Sequence, residues 1–119
     1  MVDETPIKQE KPVAVTTATI RAGEFLSDSI DLTTGSVAMV VAPAEWTAAN
    51  VSFLVSVDNQ TWGDLFYEGH EALSAVVAGT AIVLPSDLTN AALYLKIRSG
   101  SRNNPIPQEA ERVFSLGII

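Results

Sequence analysis

One histidine, His70, stands in the polar stretch Glu68-Gly69-His70-Glu71, and it is the only imidazole in the chain able to serve as a general base or metal ligand. Nucleophilic catalysis would need the fold to bring a serine or threonine to that ring and a third group to orient it. No Gly-x-Ser-x-Gly elbow marks such a nucleophile. One imidazole with Glu68 and Glu71 makes a weak first shell for a metal, and with no cysteine there are no thiolate ligands or disulfides. No spacing among the 14 acidic residues singles out a pair for glycoside hydrolysis. The seven glycines are scattered, and none forms a phosphate-cradling loop before a helix. His70 is therefore expected in a solvated loop, and the chain is expected to be no enzyme and to take no metal or cofactor.

Binding offers more candidates. Trp46, Trp62, Tyr67 and Tyr94 carry rings on which a sugar face can stack, although large aromatics more often pack in a core or subunit contact. Trp46, Trp62 and Tyr67 are the ligand-binding candidates. Lys96, Arg98, Arg102 and Arg112 gather late in an otherwise acidic chain. They are expected to form either a solvated strand face or a basic patch that meets an acidic neighbour in an assembly. The stretch Ser56-Val57-Asp58-Asn59-Gln60-Thr61-Trp62 resembles the Asp-box hairpin of sialidases and other β-proteins, through Ser56, Asp58, Thr61 and Trp62. It is one residue shorter than that motif and lacks its glycine. The resemblance implies a structural device in which the serine and aspartate bond turn backbone and the tryptophan packs beneath.

The elements that must position these residues are short and β-like. Residues 13–20 are rich in β-branched side chains and predict a strand, followed by a turn at 21–24. Residues 25–32 alternate imperfectly, with Leu26, Ile30 and Leu32 toward a core and Asp28 near a bulge. After a turn at 33–36, the continuous apolar run 37–42 predicts a strand buried on both sides. Residues 43–50 break the pattern, with room for a helical turn after Pro43. Val51, Phe53, Val55 and Val57 make one face of the clearest strand, which turns at 58–61 into 62–67 as a hairpin. Strands are also predicted at 72–78 and 80–84, a helical turn after Pro85, and a strand over 92–99 with Leu93, Leu95 and Ile97 inward and Tyr94, Lys96 and Arg98 outward. Residues 100–108 read as a polar loop and 111–119 as a closing strand.

About eight short strands with no amphipathic helix of useful length predict an all-β fold: an antiparallel β-sandwich or jelly-roll-like single domain over 13–119. Residues 1–12 mix charges with two prolines and predict an extended N-terminal arm, which brings Ile7 and Pro12 into the expected assembly interface with Lys96, Arg98, Arg102 and Arg112. The 119 residues suffice for one core. The net charge of −7 argues against nucleic acid as a partner, because that needs a basic face to displace counterions. No apolar run approaches the roughly 18–20 residues that span a bilayer, and the start has no signal-peptide pattern. No membrane partner is expected, and synthesis in a cytoplasm is.

Five stretches together resemble small virion structural proteins of tailed bacteriophages and prophages, of the decoration or head-tail kind. They are Trp46-Thr47-Ala48-Ala49, Val51-Ser52-Phe53, Ser56-Val57-Asp58 with Thr61-Trp62, Leu95-Lys96-Ile97-Arg98-Ser99-Gly100 and Pro107-Gln108-Glu109-Ala110-Glu111-Arg112. The resemblance implies a β-domain that coats a virion. The expected function is that of a capsid decoration (cement) protein, acting as a homo-oligomer bound to the major capsid protein or other virion proteins. The alternative is a glycan- or host-receptor-binding module of a tail or head fibre.

Overall fold

The computed structural model describes residues 12–119; Ile7 of the expected arm lies outside them, and Pro12 is exposed. β-Branched and aliphatic residues at both ends of this span form the longest pairing. Strand β1 (Ala14–Ile20) is followed by β2 (Ile30–Asp31), β3 (Val37–Val41), β4 (Asn50–Ser56), β5 (Gly63–Asp64), β6 (Phe66–Tyr67), β7 (His70–Glu71), β8 (Ser74–Ala75), β9 (Ala81–Val83), β10 (Tyr94–Ser101), β11 (Asn104–Pro105) and β12 (Arg112–Ile118). β1 and β12 run antiparallel from Ala14↔Ile118 to Ile20↔Arg112.

The first sheet has the order β1-β12-β3-β9. The second runs β11-β10-β4-β5, with β2 pairing on the other side of β10 and β8 continuing along β4. The chain crosses between the two sheets at β1–β2, β2–β3, β3–β4, β8–β9, β9–β10 and β11–β12, and β1-β12-β3-β9 faces β2-β10-β4-β5 in the strand order of a jelly roll. All pairings are antiparallel. The fold is therefore the antiparallel all-β sandwich that the strand pattern predicts.

Period-two alternation places the core, interrupted in β3, where a register shift opposite Gly117 and Ile118 turns both Val37 and Val40 inward. From the first sheet Ala18, Ile20, Val37, Val40, Phe114 and Leu116 point inward; from the second, Ile30, Val51, Phe53, Leu95 and Ile97 meet them, all buried in one cluster. The expected inward faces of β4 and β10 hold at Val51, Phe53, Leu95 and Ile97, but Leu93 and Val57 are exposed because each lies just outside its strand. In the segment 25–32, Ile30 and Leu32 are core as expected, while Ser27 rather than Leu26 is fully enclosed. Ser27 accepts Ile97 N–H through its hydroxyl at 2.9 Å, so a polar side chain here completes the sheet edge.

Three expectations are corrected. The run 37–42 is not covered on both sides: Val37, Val40 and Ala42 are buried, but Met39 and Val41 are exposed, because no layer of the described chain lies over the outer face of the first sheet. The stretch 100–108 is not simply a loop: β10 continues to Ser101 and turns back through β11, with Gly100↔Pro105 in register. The stretch 62–67 is not one strand: β5 pairs with β4, whereas β6 leaves to form a ribbon with β7. Glu68 (φ 53°) and Gly69 (φ 83°) make the tight turn of that ribbon. The helical turn after Pro85 is a short 3₁₀ segment, Ser86–Leu88.

Candidate functional site

The Asp58 turn forms as its residue types require. Asp58 Oδ1 accepts the backbone N–H groups of Gln60 (2.9 Å) and Thr61 (2.7 Å) and the hydroxyl of Ser56 (2.9 Å). Ser56 Oγ in turn accepts the N–H groups of Asp58 (3.2 Å) and Asn59 (2.9 Å). Asn59 takes φ 60°, a conformation asparagine tolerates, in a turn without glycine. The Thr61 and Gln60 amides and the Ser56 hydroxyl hold the Asp58 carboxyl down at about 2. Trp62 leaves the turn half-buried with the Lys96 ammonium 4.7 Å from its ring centroid. The aspartate and serine are thus used structurally, as the Asp-box likeness implies.

The basic residues divide. By alternation Arg98 leaves β10 on the outer side of the second sheet, as expected, yet it is buried rather than solvated. The excursion carrying β5 and β7 folds over it. Its Nε donates to Ser52 Oγ (2.8 Å), one terminal nitrogen to Asp64 Oδ1 (2.7 Å) and the other to Glu71 Oε2 (3.0 Å). Arg102 binds the other Asp64 oxygen at 3.0 Å, gives its own backbone N–H to Glu71 (2.8 Å), and sits over the Phe66 ring. The Arg98 guanidinium, helped by Arg102, holds the Asp64 carboxyl below the usual carboxylate range against the opposing effect of burial. Arg112 is also buried. It donates to Gln108 Oε1 (3.1 Å) and Thr47 Oγ1 (3.2 Å), and Gln108 completes the knot by bonding Thr47 and Ser99. The four basic residues therefore do not make one solvated face: Arg98 neutralises this chain's own carboxylates, Arg112 is held by the neutral Gln108 and Thr47 with only the exposed Glu45 at 3.9 Å, and Lys96 and Arg102 remain nearer the surface.

The aromatic candidates do not converge either. Trp46 packs edge-on against Phe114, with centroids 5.3 Å apart, and donates its indole N–H to Ala49 O. Tyr67 donates its hydroxyl to Asp87 at 2.8 Å, and that carboxylate raises the phenol's pKa. Asp87 also lines a cleft of about 320 Å³ with Thr61, Val55, Leu65 and Leu88. His70 is exposed, as expected, although in β7 rather than in a loop. No group of three histidine, cysteine or acidic side chains among the described residues is placed to hold a metal.

Sequence reasoning missed the outer face of the first sheet. Along its register lie Val15, Gly117, Met39 and Val83 in one row, then Thr17, Ser115, Val41 and Ala81, then Thr19 and Val113. Val15 and Val83 are each 75% exposed, and Val13, Met39, Val41 and Val113 lie between 39% and 44%. Not one of these residues is charged. The signal was present as alternation within β1, β3 and β12, but each strand alone gives no sign that its outer side stays bare. The sequence matches no family model and no curated protein.

Proposed function

We propose that the chain is a structural protein of a tailed-bacteriophage virion, a capsid decoration protein that works by assembly on the particle surface. The observation that carries this reading is the uncharged, apolar outer face of the first sheet, on a chain whose net charge is −7. An apolar patch of this kind marks a surface that meets another molecule. Two further features support it. Jelly rolls recur among viral capsid domains, a likeness of fold alone, and the stretches between Trp46 and Arg112 resemble virion proteins. Such a protein acts through shape and buried area, at about 25 cal/mol per Å² of apolar surface, and adds stability to the shell in proportion to site occupancy. The reading assigns it no reaction and no cofactor.

Mixing the purified protein with undecorated capsids tests this reading. Saturable cosedimentation, with a rise in the temperature at which the shells open, is the expected result; a protein that stays in the supernatant, or is missing from purified particles, overturns it. The second reading, a glycan- or receptor-binding module, is favoured by the cleft beside Asp87 and by Tyr67 on the same aspartate. Under that reading Trp62→Ala and Tyr67→Ala abolish retention on a glycan array while the melting temperature holds.

A further inference from the structure

We infer that the outer face of the first sheet is a self-association surface, on which a second copy of this chain packs face to face about a two-fold axis. This deepens the assembly reading above and rests on the same face. Its relief is that of a groove between two ridges. Down the middle runs β12, whose outward residues shrink from Val113 to Ser115 to Gly117. On one side stand Val13 and Val15 at the start of β1; on the other, Met39 and Val41 of β3, backed by Val83 of β9. A Cβ built on Gly117 would make only ordinary van der Waals contacts, 3.6 Å from Val13 Cγ1 and 3.7 Å from Met39 Cβ, so the glycine leaves the floor of β12 low between its two neighbours.

A ridge beside a groove is self-complementary under a two-fold rotation: the valine ridge of each copy enters the β12 groove of the other. This is the aligned sheet-on-sheet packing of sandwich interiors, repeated between molecules. Size fits as well. Strands of seven, seven, five and three residues, about 4.8 Å apart with a rise of roughly 3.3 Å per residue, give a face of about 350 Å² in projection. Two such faces cover roughly 700 Å² in projection, more once the corrugation of side chains is counted, which is the size of a weak, reversible contact.

Charge selects the occupant. A chain of net charge −7 repels its own copies wherever acidic surfaces meet. The rows Val15-Gly117-Met39-Val83 and Thr17-Ser115-Val41-Ala81 contain no charged group, so two copies can close there without burying one. A strongly charged partner would gain nothing from this face.

Sedimentation equilibrium of the full chain, without capsids, is the test. Wild-type protein is expected to be a reversible dimer, and Val15→Lys or Val83→Lys to weaken it by at least tenfold. Both positions are largely solvent-exposed, so thermal unfolding of the monomer should be unchanged and loss of the dimer is not loss of the fold. Lys96→Ala and Arg102→Ala, on the other sheet, should leave the mass unaltered. A wild-type monomer at every soluble concentration overturns the inference. So does a dimer that persists in both lysine variants, or one that appears only after residues 1–11 are deleted, which would make the chain's own N-terminal segment the occupant. A dimer indifferent to capsids would sink the decoration reading and leave this one standing; a monomer that coats capsids would do the reverse.

Discussion

At the scale of single residues, the charged groups that matter most, Asp58 and the Arg98 pair with Asp64 and Glu71, are spent on structure. Asp58 is fully exposed, yet its ionised form is preferred because two amides and a hydroxyl point at it. In the unfolded chain it protonates near 3.8, in the folded turn at about 2. Its stabilising share is therefore complete above the higher value and is lost as pH falls through the lower one. An amide NMR titration should show Gln60 and Thr61 shifting with a midpoint near 2 and no step near 4; Asp58→Asn should remove that transition. Arg98 is the larger stake. It is enclosed with Asp64 and Glu71, whose side chains are 24% and 14% exposed. Arg98→Ala leaves both carboxylates short of their shared cation and should cost about 3 kcal/mol or more in urea unfolding. Arg98→Lys should recover only part of it, because one ammonium cannot reproduce a three-way fork.

Among the elements, the β10–β11 turn depends most on one residue type. Gly100 sits at φ 92°, and a Cβ there would collide with Asn104 O and lie 2.8 Å from Ile106 N. Gly100→Ala is expected to lower stability by roughly 2 kcal/mol or more, combining left-handed strain with the clash. Gly63→Ala, which meets nothing within 4 Å in β5, should stay within about 0.5 kcal/mol. Thermal melts of the two variants side by side decide it. The elements also show what the sequence made legible. Alternation in β4 and β10 placed Val51, Phe53, Leu95 and Ile97 in the core, because a half-buried strand writes its burial locally. The fate of Arg98 was not legible, since its partners stand 34 and 27 residues earlier in a segment that had to fold back over the sheet. Nor was the exposure of Met39 and Val41. An apolar run reads the same whether its second face is covered by the chain's own layer, by another molecule or by nothing.

For the whole molecule, the distribution of charge makes a prediction that separates the two places where copies or partners could meet. If copies associate through the outer face of the first sheet, the contact itself is apolar and added salt does not screen it. What salt does screen is the mutual repulsion of two bodies carrying −7 each. Self-association should therefore tighten between low and high sodium chloride, and its heat capacity change should be negative, as burial of apolar surface requires. If Lys96 and Arg102 instead held an acidic neighbour, the attraction would be coulombic between partly exposed groups and would weaken over the same range. Calorimetric dilution at two salt concentrations and several temperatures reads both signs at once. Weakening with salt would move the assembly surface to the opposite sheet; tightening with salt and a negative heat capacity change would keep it on the face formed by Val13, Val15, Met39, Val41 and Val83.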